Sequence, residues 1–271
     1  MFATLIIVFR EAIEAGLIVG IVLAATKGVP GRGLWVTTGV AGGMVGASLV
    51  AAFAGGLSSL FMGSGQELFN ATVLLLAVAM LTWHNVWMAS HGREMSRQMR
   101  ELGADVKVGA RSLPALAIVV GVAVLREGSE VVLFLYGIFA QGGTTASEML
   151  LGGVLGMAAG AALSALIYFG LVAIPTRRLF AVTGVLITLL AAGLAVQAVA
   201  FLQQAGLVSL FDAPVWDTSA ILSDGSVLGR MLKTLTGYTD QPDGLQLIAW
   251  VVVVGMMVGL TRLVGRGRAA A

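Results

Sequence analysis

The chain contains no cysteine, and Asp, Glu, Lys and Arg together make up only 11% of its 271 residues. The absence of cysteine excludes a disulfide framework, a thiolate metal site and a cysteine nucleophile. The scarcity of charge excludes an ordinary soluble domain, which carries about 25% charged residues. No Gly-x-x-x-x-Gly-Lys-Ser/Thr loop is present, so the chain is not expected to use ATP itself. No basic segment precedes the first apolar run, and charges interrupt that run. The N-terminus is therefore expected to stay as a helix rather than to be cleaved as a signal. What remains is 58% hydrophobic, with a mean hydropathy of +0.96 and 37 glycines. That composition is that of an integral membrane protein, in which small residues let helices approach closely. The net charge of +2 is spread through short loops, so nothing points to nucleic acid as a partner.

A bilayer-spanning helix needs about 20 apolar residues. Seven segments meet that length, at 2–26, 34–60, 66–89, 114–140, 148–173, 180–204 and 246–264. The basic residues of the connections alternate. Lys27, Arg32, Arg93, Arg97, Arg100, Lys107, Arg111, Arg177, Arg178, Arg262, Arg266 and Arg268 fall on one side, and Arg230 and Lys233 on the other; the connections 61–65 and 141–147 have none. Twelve against two, read by the positive-inside rule, predicts the N-terminus outside and the C-terminus in the cytoplasm. The long outer connection carries Asp212, Asp217, Asp224, Asp240 and Asp243. Within it Ile221, Leu222, Leu228, Met231, Leu232 and Leu235 recur at helical spacing after Ser219. They predict a short amphipathic helix on the outer surface or capping the bundle.

Inside the first apolar segment lies "FREAIEAGLIV" (9–19), and "LREGSEVVLFL" (125–135) answers it at an offset of 116. Gly39, Gly43 and Met44 correspond to Gly152, Gly156 and Met157 at an offset of 113. The small-residue faces of the second and fifth segments can pack within one protomer or between protomers of a homo-oligomer. Three helices per copy is an odd number, so the copies insert with opposite orientation, the plan of many transporters. The expected fold is therefore an all-α integral membrane protein of seven transmembrane helices. It has two inverted-topology three-helix repeats (1–90 and 114–205), a basic cytoplasmic loop (91–113), an acidic extracytoplasmic loop with its short helix (206–245), and a seventh helix with a basic tail (246–271).

Each motif reads Arg-Glu-x-x-Glu. The two glutamates are three apart and share a helix face, and each arginine is four residues from the second glutamate and can pair with it. A charge at a helix centre costs about 2.5–3.5 kcal/mol on insertion scales, so six isolated ones would cost on the order of 15–20 kcal/mol. Pairing must offset part of that. Yet four carboxylates face only two arginines, so Glu11, Glu14, Glu127 and Glu130 form a candidate cation site supported by Arg10 and Arg126. The alternative is purely structural pairing. Oxygen ligands suit Mg, Mn, Ca or iron. Further candidates are His84, either a packed histidine or a ligand or proton carrier, and Glu67 and Glu148, either first-turn acids or an outer vestibule. Asp217 and the other outer aspartates either focus cations or are simply solvated. Trp83 and Trp87 read as interfacial aromatics.

The paired motifs in the first and fourth of seven helices resemble those of the oxidase-dependent high-affinity iron permeases, with a bacterial EfeU-type branch and a fungal plasma-membrane branch. "AVAMLTWHNVWM", "LLAAGLAVQAVAFLQQAGLV" and "VWDTSAILSDGSVLGRMLKTLTGY" are similar to the bacterial branch, and the resemblance covers essentially the whole chain. It implies that the four motif glutamates bind and pass iron as transported substrate, with no resident cofactor and no enzymatic activity. It also implies a periplasmic or extracellular oxidase or cupredoxin-type partner and a multi-pass location in the cytoplasmic membrane. One departure is Ala12, where the family often has glycine; it predicts some loss of closeness at the first helix. The competing readings are a permease for another divalent metal such as Mn or Pb, an intramembrane di-metal carboxylate enzyme, and a structural or receptor role. Against the enzyme, neither motif carries the Glu-x-x-His pattern of such sites.

Overall fold

A computed structural model describes residues 1–59, 65–140, 144–171 and 176–267. Eight helices are named among them: α1 (Phe2–Ala25), α2 (Arg32–Ser59), α3 (Gln66–Lys107), α4 (Pro114–Ala140), α5 (Ala146–Tyr168), α6 (Thr176–Gln204), α7 (Val227–Thr236) and α8 (Gly244–Gly267). Seven of them overlie the seven apolar segments. Five contain stretches long and apolar enough to cross a membrane: 32–53, 66–88, 146–168, 181–204 and 244–264. The other two long helices, α1 and α4, are those that carry three charged residues each. The side chains of Arg93, Arg177, Arg178 and Arg266, and all of Arg268, lie outside the described residues, as do 60–64 and 141–143 of the two uncharged connections.

Local chemistry fixes several boundaries. Thr145 accepts from the Glu148 amide at 3.3 Å while Glu148 accepts from the Thr145 amide at 3.0 Å, a reciprocal cap that opens α5. Ser226 caps α7 through the Gly229 amide, and Gly237, at φ +76°, ends it in the left-handed conformation open to glycine. Asp243 accepts from the Gln246 amide at 2.8 Å and opens α8.

Two expectations need correction. The basic stretch after residue 89 is not a loop, because α3 runs on to Lys107. Met99, Leu102 and Val106 repeat at helical spacing and pack on Val22, Val36 and Leu116 across the ends of α1, α2 and α4. Arg97 meanwhile pairs with Glu94 (2.9 Å) and Glu101 (3.7 Å) on the solvent side. Helical charge pairs and an apolar stripe together make this stretch an amphipathic helix. The short outer helix, in turn, begins at Val227, not after Ser219. Ile221 is 88% exposed, and Leu222 precedes the helix with its carbonyl accepting from the Tyr238 hydroxyl at 2.6 Å. α7 caps the bundle: it packs on α6, where Gly193 meets Gly237, and Trp250 of α8 donates to the Thr236 carbonyl at 2.8 Å.

The long helices pair in a regular way. α1 packs along α5, α2 along α4, and α3 along α6; α8 lies against α6 and α3, and α1 touches α4. The glycine faces of α2 and α5 are used within the protomer. A Cβ on Gly39 would stand 2.6 Å from the Ala117 carbonyl oxygen, and one on Gly43 2.7 Å from that of Gly121. On the other side a Cβ on Gly156 would stand 2.6 Å from the Leu5 carbonyl oxygen, and one on Gly160 2.8 Å from that of Phe9.

The same contacts explain Ala12. A Cβ on Gly160 would lie 2.6 Å from Cβ of Ala12, and one on Gly128 would lie 2.6 Å from Cβ of Ala47. Each crossing has room for one methyl group. It sits on the motif helix in α1 and on the partner helix in the α4 pair, so closeness at the first helix is kept. Gly128→Ala is accordingly expected to lower stability by about 1–3 kcal/mol through overpacking. Adding Ala47→Gly should recover most of that loss, as read by thermal unfolding in detergent.

Candidate metal centre

The elements that touch at mid-helix carry the charges. α1 supplies Arg10, Glu11 and Glu14, α4 supplies Arg126, Glu127 and Glu130, and α3 lies against both and supplies His84. Spacing does the local work: a step of three residues from the first glutamate of a motif to the second keeps both on one helix face. Two apolar clusters bracket this layer. On one side stand Ile7, Leu81, Phe134 and Ile138; on the other, Val22, Val36, Leu102 and Leu116. Arg10, Glu11, Glu14, His84 and Glu127 are all buried, each 3% exposed or less.

Each arginine meets the second glutamate of its motif, as the four-residue spacing predicts. Arg10 Nε lies 2.9 Å from Glu14 Oε1, and Arg126 Nε lies 3.2 Å from Glu130 Oε1. The two motifs are otherwise unlike. Arg10 also reaches Glu11, its Nη1 being 3.3 Å from Oε1, and is 2% exposed. Arg126 has a side chain 34% exposed and lies over the Trp87 ring, 4.3 Å from its centroid. Trp87 is thus the platform of Arg126, while Trp83, 72% exposed, faces outward.

His84 stands between the motifs. Its Nε2 lies 3.3 Å from Glu14 Oε2 and 4.0 Å from Glu11 Oε2, and its Nδ1 contacts Glu130 Oε2. Glu11, His84, Glu127 and Glu130 each offer one donor atom, and these four atoms all lie within 4.8 Å of one another. Glu14 is outside this group, with one oxygen turned to Arg10. Seven buried side-chain atoms in this layer make no aligned hydrogen bond: Glu11 Oε2, both oxygens of Glu14, both ring nitrogens of His84, Glu127 Oε2 and Glu130 Oε2. Three carboxylates and an imidazole converging in this way are a donor set for a divalent cation.

The remaining candidates lie elsewhere. Glu67 is exposed in the first turn of α3, and Glu148 is occupied by the α5 cap. Asp217 is exposed in the outer segment, where it accepts from the Ser219 amide at 2.9 Å and from Gln241 Nε2 at 2.9 Å. Hydrogen bonds from Ser219, with a smaller share from Gln241, hold its carboxyl below the usual range. Both Glu148 and Asp217 therefore have structural partners of their own.

The Iron permease FTR1 family matches residues 1–265. Ferrous iron permease EfeU of Escherichia coli O157:H7 is 32% identical over 256 residues, covering 93% of this chain and 92% of that protein. The protein of the same name from Yersinia pestis is 31% identical over 246 residues, covering 89% and 86%. The one from Shigella flexneri is 33% identical over 188 residues, covering 69% and 79%. No solved structure matches. With five helices able to cross a bilayer, the protein is a multi-pass membrane protein, and the chain belongs to the iron permease FTR1 family.

Proposed function

We propose that this permease carries ferrous iron inward across the cytoplasmic membrane, and that the ion binds between α1 and α4. The observation that carries this reading is the buried group of Glu11, Glu127 and Glu130 with His84, whose donor atoms lie within 4.8 Å of one another. An ion held at about 2.1 Å by each ligand needs its donors no more than about 4.2 Å apart, so the group would draw inward on binding. Carboxylates replace the water ligands of the entering cation, Arg10 anchors Glu14, and Arg126 anchors Glu130.

Seven spans with the N-terminus outside fit this role. α1 and α4 cross because their charges are paired and turned inward, as intramembrane ionisable residues generally are. The inverted repeat is supported by the pairing of helices. Exchanging α1 with α4, α2 with α5 and α3 with α6 converts the α1–α5 contact into α4–α2 and returns α3–α6 to itself. Gly39 against Ala117 and Gly43 against Gly121 become Gly152 against Met1 and Gly156 against Leu5.

The test is uptake of radiolabelled iron into proteoliposomes, run separately with Fe(II) under reducing anaerobic conditions and with Fe(III), each with and without a pH gradient. Fe(II) uptake is expected to exceed Fe(III) uptake. Failure to take up either ion sinks the proposal, and equal displacement of iron by Mn(II) or Pb(II) would transfer it to a broader divalent-metal permease.

A further inference from the structure

Resting on the carrier reading above, we infer that His84 is the specificity-determining ligand of the site, supplying the one nitrogen donor that separates first-row transition cations from Mg2+ and Ca2+. The two motifs alone present only carboxylate oxygens, and oxygen sets favour the hard cations Mg2+ and Ca2+ as readily as iron. Imidazole changes that preference, because nitrogen donors raise affinity for first-row divalent ions along the series from Mn2+ to Cu2+ and do little for Mg2+ or Ca2+.

The geometry points to the ligand role over that of a packed histidine. A buried histidine kept for packing has its ring nitrogens satisfied by hydrogen bonds, commonly to backbone carbonyls or hydroxyls. The nitrogens of His84 face neither: both are buried, and the groups opposite them are the motif acids Glu11 and Glu14 from α1 and Glu130 from α4. Its donor atom belongs to the same 4.8 Å group as one oxygen each of Glu11, Glu127 and Glu130. α3 brings no acid into that group, so its contribution to the site is the imidazole. His84 touches both motifs, which makes it the element that either copy of the repeat shares.

The chain has only two histidines, and His91 is exposed and stacked on Trp87, so nitrogen ligation can be assigned cleanly. The purified full chain is loaded with Mn2+ alone and studied by pulsed EPR with and without 15N-histidine. Wild type and His91→Gln are expected to show coupling of Mn2+ to an imidazole nitrogen, and His84→Gln to bind Mn2+ without it. In proteoliposomes, excess Mg2+ is expected to leave wild-type Fe(II) uptake unchanged and to inhibit His84→Gln, with the preference for iron falling about ten-fold or more. Absence of nitrogen coupling in wild type overturns the inference. So does a His84→Gln chain that slows all cations equally with its iron preference intact. If His84→Gln does not fold, the labelled wild type and His91→Gln spectra decide the point. A wild type that shows the coupling but moves no iron leaves His84 as a ligand and defeats the carrier reading instead.

Discussion

Glu11→Ala and Glu130→Ala are each expected to abolish iron uptake while the chain still inserts and folds. Neither change strands a buried cation. Without Glu11, Arg10 keeps Glu14 at 2.9 Å; without Glu130, Arg126 keeps its place over Trp87 with a third of its side chain exposed. Each change removes one of the four converging donors. Loss of residues that merely orient a metal ligand costs roughly 10–100-fold in affinity or activity, so loss of a direct donor is expected to exceed about 100-fold. Glu11→Gln and Glu130→Gln should fail similarly, since a neutral amide keeps the volume and loses the charge. Glu67→Gln and Glu148→Gln serve as controls. Glu67 is exposed, and glutamine can replace Glu148 in its cap, so uptake should stay within about two-fold of wild type. The measurement is initial-rate uptake of labelled iron, normalised to folded protein from size-exclusion chromatography. Normal uptake in either alanine variant would remove the motif glutamates from the transport path.

The parts of this structure that were legible in the sequence are those governed by short periods and by charge. Seven long apolar runs became seven long helices, and the three- and four-residue spacings within Arg-Glu-x-x-Glu put each arginine on its second glutamate. The amphipathic end of α3 was missed because its arginines weighed as loop charges. The stripe of Met99, Leu102 and Val106 that folds it against Val22 and Leu116 was the signal available. His84 had a similar signal. It continues the buried series Leu74, Ala77, Val78 and Leu81 at helical spacing, so a polar ring was being placed on the inner face of a membrane helix. Spacing alone leaves open what that ring meets, since its neighbours Glu14 and Glu130 lie 70 and 46 residues away in the chain. The difference between the two arginines was not legible at all: both sit in the same motif, and only the folded structure shows Arg10 buried between two glutamates and Arg126 lying partly exposed over Trp87 of α3.

That difference yields the second large effect. Arg10→Met is expected to destabilise the protein by about 3–5 kcal/mol, the usual result of removing one partner from a buried charge cluster. Arg10 is the cation nearest to both Glu11 and Glu14 at ion-pair distance, and its removal leaves two buried carboxylates with only His84 to face. Arg126→Met should cost less, because the Arg126 side chain is 34% exposed where Arg10 is buried, and Trp87 can pack against the methionine. Thermal unfolding in detergent measures both, alongside the folded yield recovered from membranes. A second substitution identifies the cause. Glu14→Gln in the Arg10→Met background removes one of the stranded charges, and it should restore much of the lost stability if uncompensated charge is responsible; lost packing volume would leave the double variant no better. Because Glu14 lies outside the four-donor group, the restored protein should also still bind Mn2+. Equal losses from Arg10→Met and Arg126→Met would mean that the two motifs are equivalent in energy as they are in sequence, and that burial around Arg10 carries no special weight.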